Sequence, residues 1–194
     1  MKHTSVILGL LLTLLTLSPA SATSLLPISL QQLSTRASLI FYAEVISNET
    51  RKDAQSGRIA TFTEFKIIDL IKGETGRTHT IKQLGGYDNT SHIRVRIHSV
   101  PTFQPGKQYV VFLPEKSSLG FSSPLGLHQG SFPVFTNDEG QIVSNGRRLN
   151  EQYLTITAEQ KRNSVQIPLA VRADNPSQSR LDDFVNTVRA YNTP

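Results

Sequence analysis

His92, Arg94, Arg96 and His98 occupy alternate positions and carry the clearest chemical pattern in the chain. Alternate residues of a β-strand share one face. The spacing therefore predicts a cationic strand face, with Tyr87 and Phe103 flanking it. On a small β-barrel, such a face beside aromatics can grip single strands or other anionic polymers. The plainer expectation is a solvated polar face. The spacing argues against a shared metal ion, because His92 and His98 would stand about 20 Å apart along a strand. A cross-strand pairing of His98 with His79 or His128 is the remaining histidine arrangement.

The familiar catalytic signatures do not occur. None of the five histidines starts a His-Glu-x-x-His pattern. The chain has no Cys, which removes thiolate metal sites. There is no Gly-x-Ser-x-Gly elbow. Gly106-Lys107 lacks the surrounding Gly and Ser/Thr of a phosphate loop. Glu44 and Glu64 would meet if their strands pair, and two carboxylates can do acid–base work. Beside Lys66 they read instead as a solvated face. No catalytic residue, metal ligand or cofactor is assigned.

The elements that must position these residues are mostly strands. Leu30, Leu33 and Ala37 recur at helical spacing after Ser29, a cap candidate. Leu39, Phe41, Ala43 and Val45 share one strand face, and Ser47–Gly57 reads as a turn region. A long strand is predicted from Arg58 to Ile71. Its apolar residues fall at odd and even positions, which predicts a bulge or burial on both faces. Strands follow at Thr78–Leu84, His92–Val100, Lys107–Leu113 and Leu127–Phe135, with Pro133 favouring an edge or bulge. Residues 147–173 give no clear pattern, with Ser164–Val171 as a last strand candidate. Leu181, Phe184, Val185, Val188 and Tyr191 mark an amphipathic helix at about 177–191. Ser179 is its candidate cap, and Asp182 and Asp183 suit the first-turn dipole. The fold class expected is mainly β, a closed or partly open antiparallel barrel with a short N-terminal helix and a C-terminal helix.

The first residues predict export. Lys2 and His3 precede an apolar run, Val6–Leu17, which Ser18-Pro19 breaks before Ala20-Ser21-Ala22. This is the pattern of a secretory signal, and the run is shorter than the roughly 20 residues of a membrane span. Cleavage is expected after Ala22, leaving 23–194 as one domain, periplasmic or secreted. A Cys-free exported domain suits a bacterial setting. The formal charge of +5 is a modest basic bias that permits polyanionic partners.

From Ala37 to Leu113 the chain resembles the netrin-like module, the OB-type barrel of the tissue inhibitors of metalloproteinases. Ala37–Val45, Thr61–Gly73 and Gly106–Leu113 carry the likeness. The chain is also similar to uncharacterised exported bacterial proteins that share the Lys72-Gly73 turn, the Gly85-Gly86 loop and Gln129-Gly130. The inhibitors set an N-terminal Cys on their target's zinc. This chain has no Cys, so those inhibitory residues do not carry over. Thr23 and Ser24 would form the partner-contacting N-terminus. The resemblance implies a non-enzymatic protein-binding module, an inhibitor or companion of an extracytoplasmic protease. The basic face gives the alternative, a binder of anionic polymers such as glycan, lipopolysaccharide or nucleic acid. An enzyme without a linear motif is a further alternative.

Overall fold

The computed structural model describes residues 26–138, 140–147, 149, 172 and 175–193. The expected signal segment, Thr23, Ser24 and the strand expected at 164–171 lie outside the described residues. The chain is mainly β. Helix α1 (Leu30–Arg36) precedes β1 (Leu39–Lys52), β2 (Ile59–Lys72), β3 (Thr78–Leu84), β4 (Gly86–Asp88), β5 (Ile93–Val95) and β6 (Gln108–Leu113). A 3-10 turn (Leu127–Gly130) leads into β7 (Ser131–Asn137), β8 (Gly140–Val143), β9 (Ser179–Arg180) and helix α2 (Leu181–Ala190). The main sheet is 7-stranded and antiparallel, in the order β3-β2-β1-β6-β7-β8-β9; β4 and β5 form a separate ribbon. No helix among the described residues is long and apolar enough to cross a membrane.

Bulges between β1 and β2 explain the mixed parity of the sequence. The register steps from Tyr42↔Asp69 to Ala43↔Ile67, which leaves Ile68 without an opposite residue. It steps again from Val45↔Phe65 to Ser47↔Glu64, which leaves Ile46 unmatched. Both extra isoleucines are pushed outward and stand about half exposed. Because a bulge inserts one residue into the alternation, the inward positions of β1 change from odd numbers to even ones. Val45 faces the core, and after the bulge Asn48 and Thr50 line a pocket, opposite Thr63 and Thr61.

Both faces of the central strands are covered. Phe41, Ala43 and Val45 pack with Phe65, Ile81, Phe103 and Tyr109 on one side. Ile40 and Tyr42 pack on the other with Phe112, Phe132 and the two helices. Helix α1 is entered through a capping box: Gln32 N donates to Ser29 Oγ at 3.1 Å, and Ser29 N donates to Gln32 Oε1 at 3.0 Å. Its end is held by Lys72, whose Nζ donates to the Ser34 and Thr35 carbonyls at 2.8 and 3.1 Å. The next residue, Gly73, has φ +82, and a Cβ there would stand 2.4 Å from the Ser38 carbonyl oxygen. The Lys-Gly pair is thus a docking point for α1. Gln129 performs a similar task, accepting from Ile28 N at 2.8 Å and donating to Leu26 O at 3.1 Å.

Several sequence expectations need correction. The turn region expected from Ser47 begins at Asp53, because pairing with Ile59–Glu64 of β2 extends β1 to Lys52. The strand expected over His92–Val100 shrinks to Ile93–Val95, since His92 and Ser99 adopt φ of 56 and 66. Leu127–Gly130 is a 3-10 turn rather than strand. Pro133 sits within a strand that has neighbours on both sides. Its carbonyl accepts from Ser144 N, so its missing N–H faces the β8 side just before that ladder begins at Val134. Ser179 belongs to β9, paired with Val143, and does not cap α2. Helix α2 therefore starts at Leu181.

Candidate functional site

The residues singled out from the sequence gather at the end of the β1–β2 hairpin. Tyr87, Arg94, Arg96, His98 and Phe103 line one pocket of about 690 Å³. His92 stands outside its lining, with Nδ1 3.4 Å from the Tyr87 hydroxyl. The floor consists of inward residues of the main sheet: Asn48 and Thr50 from β1, Thr61 and Thr63 from β2, and Gln83 from β3. Among the described residues, no carboxylate lines the pocket.

The wall is the β4–β5 ribbon, in which Tyr87 is the cross-strand partner of Arg94. The Arg94 guanidinium lies over the Tyr87 ring, 4.7 Å from its centroid. This contact presets the arginine, which lowers the ordering cost of a later ion pair. The ribbon's turn is closed by Asp88, which accepts from Thr90 N at 3.1 Å and Ser91 Oγ at 2.6 Å. These bonds, that of Ser91 foremost, hold the Asp88 carboxyl below its ordinary pKa. Asp88 remains charged while locking the turn that ends in His92.

The segment from Arg96 to Thr102 arches over the pocket and is pinned at its far end. Gln83 Nε2 donates to the Pro101 carbonyl at 3.3 Å, and Asn48 Nδ2 donates to the Phe103 carbonyl at 2.6 Å. Phe103 itself is 4% exposed, edge-on to Phe65 and Tyr109 with centroids 5.0 Å from each. It is a core anchor at the base of the pocket, and no ligand can stack on it as an open platform. Tyr87 is also engaged, its face by Arg94 and its hydroxyl by His92. The pocket thus presents a cationic wall over a neutral polar floor, with Tyr87 39% exposed beside it.

Sequence reasoning missed that floor. Asn48 and Thr50 were read as turn residues, and the bulge at Ile46 hid their shared face with Thr61 and Thr63. The carboxylates Glu44 and Glu64 do not meet, since Glu44 pairs with Lys66 and Glu64 with Ser47. Among the described residues, no three His, Asp or Glu side chains form a metal-binding group. His79 is half-buried against the Phe41 ring with Nδ1 2.9 Å from the Thr75 hydroxyl, and it is not among the residues lining His98's pocket. Thr23 and Ser24 lie outside the described residues.

The arrangement can receive an anionic group between Arg94, Arg96 and His98, and hydroxyls and amides beneath can bind its neutral surroundings. The sequence matches no family model, and no curated protein matches it.

Proposed function

We propose that this chain is an exported binding module whose basic pocket receives an anionic group of a larger partner. The observation that carries this reading is that Arg94, Arg96 and His98 line one pocket in which, among the described residues, no carboxylate takes part. A scattered basic surface would not leave the cations facing a shared concavity. A partly open barrel is the shape this reading takes. The packing of Phe41, Phe65, Phe103 and Tyr109 from separate strands and a loop about one interior supports it. Reading the chain as a binder follows from the lining chemistry, which offers fixed cations and neutral donors to hold a charge. A protein partner such as a protease would meet the pocket through an acidic surface.

The test is titration with a sulfated oligosaccharide and with polyaspartate at rising salt. The Arg94→Ala/Arg96→Ala variant should bind both at least about tenfold more weakly. A charge-matched Lys66→Ala/Arg77→Ala variant, altered at exposed sites away from the pocket, should bind nearly as the native protein does. Equal losses in the two variants would reduce the effect to overall basicity and end the proposal.

A further inference from the structure

A second concavity adjoins the basic pocket. It is an open groove of about 1050 Å³ over β6, β7 and β8, and Pro101 and Thr102 line both spaces. Among the described residues its lining contains no carboxylate, and Lys107 and His128 are the basic side chains there. Its polar character comes from neutral amides, chiefly Gln104, Gln108, Gln141 and Asn145.

Two of these amides are held in place by a core tyrosine. The Tyr42 hydroxyl donates to Gln108 Oε1, while Gln141 Nε2 donates to Tyr42 Oη at 2.9 Å and to Gln108 Oε1 at 3.1 Å. The bonds use the carbonyl of Gln108 and the amino group of Gln141. Among the described residues, Gln108's amino group and Gln141's carbonyl oxygen take no bond. The groove thus displays one fixed donor beside one fixed acceptor. A peptide unit carries the complementary acceptor and donor.

The apolar part of the lining is Pro101, Pro133, Val134 and Phe135, with Phe135 51% exposed. Phe135 is the open ring of this lining; the two prolines and the valine beside it, together with the donor–acceptor pair of Gln108 and Gln141, suit an extended peptide. From these features we infer that the groove binds an extended polypeptide segment whose acidic residue enters the basic pocket. This deepens the proposed function and rests on it. The partner is then a protein with an exposed acidic strand or tail, read by charge at one end and by backbone amides along the rest.

The experiment uses labelled peptides headed by Glu-Glu and continued by about ten randomised neutral residues, roughly 33 Å when extended. Acetylated Glu-Glu amide serves as the short reference. The long peptides should bind the native protein at least about tenfold more tightly than the dipeptide. The Gln108→Ala/Gln141→Ala variant should lose that advantage and keep the dipeptide's affinity. Tyr42→Phe, which removes the tyrosine's two bonds and leaves the amides held only by each other, should lose part of it. The Arg94→Ala/Arg96→Ala variant should weaken both ligands. Equal binding of long and short peptides would overturn the groove's role and leave the pocket reading intact. An oligogalacturonide that gains as much from the groove as the peptides do would overturn the peptide assignment. Absence of binding by either peptide, together with no polyanion binding, would overturn both readings.

Discussion

Thr61 Oγ1 donates to the Gly85 carbonyl oxygen at 2.7 Å, and this bond seats the β4–β5 ribbon on the main sheet. Since Thr61 has given its proton away, the 2.9 Å contact between the Thr50 and Thr61 hydroxyls must have Thr50 as donor. Two threonines facing each other across the hairpin therefore hold the wall that carries Arg94. The floor and the wall of the pocket are one hydrogen-bonded unit.

Gly86 is where that unit tolerates no side chain. Its φ is +130, and a Cβ would stand 2.3 Å from Thr61 Oγ1 and 2.6 Å from Thr50 Cγ2. Gly86→Ala should cost about 1–3 kcal/mol through overpacking and backbone strain. Because the threonines are held within the ladder, the ribbon is the part that yields. Chemical denaturation should show the loss, and polyanion binding should fall beyond what the lost stability explains. A variant that binds as well as the native protein would separate the ribbon's seat from the site.

The turn of the same hairpin carries a charge with a pH signature. Asp53 Oδ2 accepts from Ser56 Oγ at 2.6 Å and Ser56 N at 2.8 Å, and it pairs with Lys82 Nζ at 3.0 Å. These bonds, led by that of the Ser56 hydroxyl, lower its pKa from 3.8 to about 2. A carboxylate depressed in the folded state contributes stability above its unfolded pKa and loses it as pH falls through the folded value. Denaturation midpoints should therefore decline between about pH 4 and pH 2. Asp53→Asn should begin less stable and decline less across that window. Parallel declines in the two proteins would assign the acid sensitivity to other groups.

Much of the architecture is written in local patterns. Ser29 with the spacing of Leu30, Leu33 and Ala37 announces α1, and the run Lys107–Leu113 announces β6. The basic residues are also legible as a group, and Arg94, Arg96 and His98 line one pocket. Their geometry is not, since alternation at His92–Val100 fits a straight strand, and positive φ at His92 and Ser99 bends it away. The floor was hidden for a different reason. Asn48, Thr50, Thr61 and Thr63 share a face because Ile46 and Ile68 bulge, and a bulge is set by how two strands pair rather than by either strand's own periodicity. Phe103 reads from the sequence as a contact aromatic, whereas its burial depends on Phe65 and Tyr109, which lie on other elements. The groove's amide pair depends on Tyr42, more than sixty residues from Gln108 along the chain.

Docking of α2 offers a direct comparison between packing and charge. Phe184 is fully buried, 4.8 Å from the Phe132 ring centroid and 6.3 Å from that of Phe112. On the same helix, Arg189 Nη2 lies 2.6 Å from Asp69 Oδ1, with both side chains at least a third exposed. Truncating a buried phenylalanine costs about 3–5 kcal/mol, whereas an exposed ion pair contributes about 0–1 kcal/mol. Phe184→Ala should therefore lower the unfolding free energy by several times more than Asp69→Asn. High salt should leave the Phe184→Ala loss unchanged and shrink the Asp69→Asn loss toward zero. The helix would then be held by its aromatic ridge, with the ion pair adjusting only its outer turn. Equal losses for the two variants would mean that the short Arg189–Asp69 contact is shielded from water and bears on α2 as strongly as the core does.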